Sequence, residues 1–157
     1  MEDEEKRIVA RAYLESVRGI KQSIDVKTES AQALKQVLLL QGIRYDKDPV
    51  KGSGCVPDRL AGIVSKAADI EAEADQLKEL LAVRIADIVE MAEQLPSLDM
   101  QTVIVEYYLG RISMSDISLQ LHYHRSRTYQ IRDEALLSLY ENNPKIQTFY
   151  KMESSTL

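Results

Sequence analysis

Residues 99–140 read DMQTVIVEYYLGRISMSDISLQLHYHRSRTYQIRDEALLSLY, and this stretch decides the fold. It predicts three short helices, the last two spaced as a helix-turn-helix. Met100 to Leu109 is an apolar run, and Gly110 is a fitting stop for the first helix. Ser113-Met114-Ser115-Asp116 places a hydroxyl at a helix start and an acid three residues on, which satisfies the first free N–H groups of a second helix. Ile117 and Leu121 then share one face, a turn apart. His122-Tyr123 follows, and a third run begins near Arg125, with Thr128, Ile131, Ala135, Leu136 and Leu139 at helical spacing. Thr128 and Ile131 therefore face inward. Arg125, Ser126, Arg127 and Gln130 project from the first turns, and Tyr129 and Arg132 flank them.

Taken together, Leu109-Gly110, Ser113, Ile117, Leu121, the two-residue turn, Arg125, Arg127, Gln130-Ile131 and Ala135-Leu136 resemble region 4 of bacterial sigma factors. That module reads the −35 promoter element. The whole chain is similar to the phage and prophage regulators of late transcription, which carry such a module behind a long helical arm. The likeness is strong over 99–140 and loose over the arm. Two positions depart from the pattern. His122 stands where glycine is usual, and a left-handed turn there is tolerable for histidine but less comfortable. His124 stands where serine or threonine would cap the recognition helix, and histidine is expected to cap poorly, so His124→Ser is expected to stabilise the domain.

The 157-residue chain has room for one domain, or a small domain plus an extension. It holds no run of about 18 apolar residues, so no membrane span is expected. Its start, MEDEEKR, is too acidic for a signal or transit peptide, and its one cysteine, Cys55, excludes an internal disulfide. A cytoplasmic protein is the expectation. A net charge of −5 is unusual for a DNA binder, so its distribution matters. Residues 1–98 hold 14 basic and 18 acidic side chains, a balance of −4; residues 99–157 hold 6 and 7, a balance of −1. From Ile117 to Arg132 there are three arginines, two histidines and no acid. Such a patch meets a few phosphates and implies weak binding alone, as suits a module attached to a larger DNA-bound machine.

The arm precedes this domain. Six glycines and four prolines in the whole chain, mostly clustered, leave long stretches free for helix. One helix is expected over 5–41, with a seam of Ala10, Tyr13, Val17, Ile20, Ile24, Ala31, Leu34 and Leu38, broken by Lys27. A second is expected over 58–94, stopped by Pro96. Its seam runs Leu60, Ile63, Ala67, Ile70, Ala74, Leu77, Leu81, Ile88, Met91 and Leu95, broken by Arg84. Steps of three and four make both seams heptads. Folded on each other as an antiparallel coiled-coil hairpin, they pair Leu38 with Ile63, Leu34 with Ala67, Ala31 with Ile70, Ile24 with Leu77 and Ile20 with Leu81. Lys27 and Arg84 are expected to keep their charges wet by snorkelling. Each helix would be about 55 Å long. Val64, Ala68, Val83, Ile85 and Ala92 lie beside the second seam and call for further cover, from the C-terminal domain or from a second copy in a homodimer. The connection 42–58, with three glycines and two prolines, reads as a solvated loop, with a contact surface for polymerase as the sharper alternative. Its Gly52-Ser53-Gly54 lacks the features of a phosphate-binding loop.

The expected class is thus all-α: an arm over 1–96, a sigma region 4-like domain over 97–143 and a loose tail over 144–157. No catalytic constellation is evident. His122 and His124 have no ligand partners at metal spacing, Cys55 has no histidine near it, and Glu71, Glu73, Asp75 and Glu79 suit a solvated helix face. No enzyme activity, metal or cofactor is expected. The resemblance implies a DNA-binding transcription regulator. Arg125, Ser126, Arg127 and Gln130 would reach base edges, Tyr129 and Arg132 the backbone, and double-stranded DNA and RNA polymerase would be the partners. Two alternatives remain: a phage assembly protein such as a small terminase subunit, whose DNA-binding part normally comes first, and a coiled-coil scaffold without DNA binding.

Overall fold

The computed structural model describes residues 1–42 and 58–154. The described residues contain helices and no strand: α1 Asp3–Leu40, α2 Asp58–Glu93, α3 Leu98–Ile104, α4 Met114–Leu121, α5 Arg125–Asn142 and α6 Pro144–Ser154. None of these helices is long and apolar enough to cross a membrane. The long pair, α1 with 38 residues and α2 with 36, packs together as an antiparallel hairpin, within two residues of the expected bounds. Residues 43–57 of the expected loop, with Cys55 and Gly52-Ser53-Gly54, lie outside the described residues.

The chain divides into two compact units, Ile20–Leu81 and Met1–Gly19 with Ala82–Leu157. The expected junction at Pro96 is therefore not where packing divides the chain. The first turns of α1 and the last turns of α2 belong with the short helices.

In the Ile20–Leu81 unit, Ile24, Ala31 and Leu38 on α1 and Ala67 and Ala74 on α2 are buried at seven-residue steps. The alternate seam positions, among them Ile20, Leu34, Ile63, Ile70 and Leu77, are half-buried. Two helices alone enclose one stripe fully and leave the next partly wet, as a two-stranded heptad seam requires. Ala31 and Lys35 share a groove with Glu71, Ala74 and Lys78. Lys35 pairs with Glu71, and Lys27 Nζ meets Glu73 Oε2 at 2.6 Å. Lys27, the break in the α1 seam, thus keeps its charge at the surface beside a carboxylate.

The other unit has a larger core. Val9, Ala10, Tyr13, Leu14 and Val17 from α1 and Ile88, Met91 and Ala92 from α2 are buried, as are Val103, Ile104, Tyr108, Leu136, Leu139 and Ile146. Ala92 finds the cover its position called for, whereas Val83 stays exposed. Arg84 does not snorkel. Its guanidinium lies 4.7 Å from the Tyr13 ring centre and 5.3 Å from that of Phe149, and it donates to Ser16 Oγ at 2.5 Å. Two aromatic faces and a hydroxyl accept the charge that an apolar layer would exclude.

Phe149 belongs to α6, where a loose tail was expected. Pro144 suits the first turn of a helix because its missing N–H would have no partner there. Ile146 is fully buried, Phe149 meets Tyr13 edge-on at 5.3 Å, and Lys145 Nζ pairs with Asp87 Oδ1 at 2.9 Å. These contacts, distant in sequence, hold the helix where composition alone would not.

α2 ends before Pro96, and Ser97 caps α3 by accepting from the Met100 N–H at 3.2 Å. The Gln101 amide donates to the Glu93 and Leu95 carbonyls, closing the corner. α3 continues as one wider, π-helical turn over Val105–Leu109, in which the Gly110 N–H bonds to the Val105 carbonyl at 3.0 Å. Gly110 is needed for room: a Cβ there would stand 2.9 Å from the Glu106 carbonyl oxygen. The left-handed residue of this exit is Arg111, at φ 56°.

Candidate nucleic-acid interface

α4 begins as its sequence predicts, with Ser113 Oγ accepting from the Asp116 N–H at 3.2 Å. It ends at His122, which adopts the left-handed conformation (φ 60°, ψ 34°). The Tyr123 N–H bonds back to the Ser118 carbonyl at 3.0 Å. His124 is extended, and α5 starts at Arg125. The connection is thus three residues, His122 to His124, with the handedness that glycine would supply more easily.

His124 caps α5, contrary to the expectation of a poor cap. Its Nδ1 accepts from the Ser126 N–H at 3.3 Å and lies 3.0 Å from Ser126 Oγ. An imidazole nitrogen offers the same lone pair as a serine oxygen, and the extended backbone aims it at the helix start.

A buried hydroxyl pair joins the two helices. Thr128, with no exposed surface, has its Oγ1 2.8 Å from Ser118 Oγ, which donates onward to the Met114 carbonyl at 2.7 Å. Around it Val103, Met114, Ile117 and Ile131 form one apolar cluster, with Met100, Tyr107, Ile112, Leu121 and Tyr129 against it. A buried hydroxyl is costly unless bonded, so this pair favours one register of α5 on α4. α5 packs against α3, α4 and α6, and buries Thr128, Ile131, Ala135, Leu136 and Leu139.

The opposite side of α5 is polar and holds Ser126, Arg127 and Gln130 from the residues proposed; Arg125, Tyr129 and Arg132 lie along the edge of the buried face, with Tyr129 against the apolar cluster. Arg125, Ser126, Arg127 and Gln130 are exposed; Tyr129 and Arg132 are half-buried. Helical geometry sorts them into two flanks with Ser126 near the crown. On one flank Arg125, Tyr129 and Arg132 follow at steps of four and three. The Arg132 guanidinium lies 4.9 Å from the Tyr129 ring centre and 3.1 Å from Asp133 Oδ1. On the other flank Arg127, Gln130 and Glu134 follow at steps of three and four. Arg127 Nη1 donates to Gln130 Oε1 at 3.3 Å and lies 3.6 Å from Glu134 Oε1.

Asp133 and Glu134 were missed by the sequence reasoning because the acid-free window closes at Arg132, one residue before them. The signal was present: residues seven apart on a helix share a face, so Arg127 and Glu134 are neighbours. Two of the three arginines therefore stand beside a carboxylate. Arg125, among the described residues, forms no ion pair. Beside the turn, the Tyr123 hydroxyl donates to Asp99 Oδ2 at 2.9 Å, a bond to the neutral phenol that raises its pKa. Among the described residues no three His, Cys, Asp or Glu side chains gather as a metal site would need.

Among the described residues the surface therefore offers one guanidinium without an ion pair, a second held by an amide and a carboxylate, an amide and a hydroxyl, all from one helix. Comparison of the chain with family models, curated proteins and solved structures finds no match.

Proposed function

We propose that this protein is a DNA-binding transcription regulator, of the phage or prophage type, that reads a promoter-like element through the first turns of α5. The observation that carries this is the two-sided character of α5. Its inner face is locked onto α4 by the Ser118–Thr128 hydroxyl pair, while Arg125, Ser126, Arg127 and Gln130 are exposed along its first turns. Groups that read base edges must be both exposed and held in place. Arginine bonds guanine through two donors, and glutamine bonds adenine through one donor and one acceptor. Arg132, stacked on Tyr129, suits a phosphate. The helical hairpin serves as the arm that attaches the module to RNA polymerase or to a second copy.

The test is selection of bound DNA from a random pool by the full chain, with and without RNA polymerase. Enrichment of one short motif, dependent on Arg125, supports the proposal. Failure to enrich any sequence under either condition contradicts it, and favours a scaffold without DNA binding.

A further inference from the structure

We propose that Glu134 is a base-selecting residue of this interface, taking a hydrogen bond from the exocyclic amino group of a cytosine about three base pairs from the base that Arg127 reads. This rests on the DNA-reading role proposed for α5. Glu134 is exposed on the same flank as Arg127 and Gln130, and the three side chains form one chain of polar contacts along the helix. Seven residues of helix advance about 10 Å, and three base-pair steps advance about the same. If α5 lies along the groove with Arg127 at one base pair, Glu134 faces the floor about three pairs further on.

The chemistry of a carboxylate in that position is restrictive. Phosphates, guanine N7 and O6, and thymine O4 are all acceptors, and each opposes an anionic acceptor. Only cytosine N4 and adenine N6 donate in the major groove. Adenine N6 stands beside N7, whose lone pair faces the carboxylate; cytosine N4 has no such neighbour. In the free protein Glu134 is matched by Arg127. When Arg127 turns to a guanine, the carboxylate loses that partner and needs another donor. A cytosine amino group replaces it, and any acceptor leaves it opposed. Glu134 thus penalises wrong bases as well as preferring the right one.

The test repeats the selection with three full-length proteins: the parent, Glu134→Gln and Glu134→Ala. Both substitutions are at an exposed position, and their melting temperatures should match the parent. The parent motif is expected to carry a guanine and, about three base pairs away, a cytosine. Glu134→Gln should shift that second position alone toward adenine, whose N7 and N6 an amide bonds together, changing the cytosine-to-adenine ratio by about tenfold or more. Glu134→Ala should lose the cytosine without gaining adenine. An unchanged motif in both variants would overturn the assignment. So would tighter binding to all sequences alike, which would make Glu134 a general brake on DNA affinity. If the parent enriches no motif, the DNA-reading role of α5 itself fails and this inference falls with it.

Discussion

His124 opens α5 with a ring nitrogen where a hydroxyl oxygen is usual, and that nitrogen already bonds the Ser126 N–H. Replacing it with serine exchanges one cap for another, so His124→Ser should change stability by less than about 0.5 kcal/mol. His124→Ala, which leaves the N–H without its partner, should cost about 0.5–2 kcal/mol. Denaturant midpoints of the two variants decide it; a clear gain from His124→Ser would mean the ring does not cap. This capping was illegible from residue type, because preference tables rank residues over many backbones, and here one backbone aims Nδ1. Tyr108 is a second case. Its hydroxyl is buried, has no hydrogen-bond partner among the described residues, and is pushed up to about 12 by burial. The unfolded chain releases that proton near the ordinary value of 10.0, before the folded chain does. Stability therefore falls as pH rises from about 10 to about 12, by roughly 2–3 kcal/mol from this group. Tyr108→Phe should remove that part of the alkaline loss and, by taking away a buried hydroxyl without a partner, leave the neutral stability equal to or above that of the parent. Parallel pH–stability curves for the two proteins would contradict it.

Among the elements, α6 shows what periodicity does not disclose. The heptad seams of α1 and α2 were legible because many residues repeat one spacing. Among the described side chains of α6, Ile146 and Phe149 are the buried and half-buried large apolar groups, and their partners lie far away in sequence. Arg84 shows the same limit from the other side. Its charge interrupts an apolar seam, and only the rings of Tyr13 and Phe149 explain its place. Arg84→Ala and Phe149→Ala should each destabilise the unit that contains them, by about 1–3 kcal/mol. Because they remove one shared contact, the double variant should lose less than the two singles together, by about 0.5 kcal/mol or more. Strict additivity of the unfolding free energies would show that the stacked arrangement contributes nothing. Gly110 was recognised as a stop in the right place, but for a reason sequence could not supply. It admits the Glu106 carbonyl at the end of a π-helical turn, while Arg111 takes the left-handed turn.

For the whole molecule, the all-helical class, the hairpin and the start of α4 followed from spacing and caps. The division of the chain did not, because Pro96 marks where a helix stops and not where packing changes. Ala10, Tyr13 and Val17 join the short helices' unit although they continue the α1 seam. The six residues proposed as DNA contacts all fall on one helix with the four at its start exposed, as their spacing required. Their carboxylate neighbours were less legible, and these set the electrostatics. With Arg127 and Arg132 each beside an acid, Arg125 is the one of the three arginines that forms no ion pair among the described residues. The central claim is that this surface reads DNA. Its most direct test is a binding titration of the selected motif at several salt concentrations, with polymerase present, comparing the parent with Arg125→Ala, Arg127→Ala and the arm control Glu71→Ala. Loss of about 1–3 kcal/mol from an arginine variant on the motif alone marks a base contact. An equal loss on all sequences, with the salt slope smaller by about one, marks a phosphate contact. Glu71→Ala should do neither. Arginine variants that fold and bind like the parent would contradict the claim.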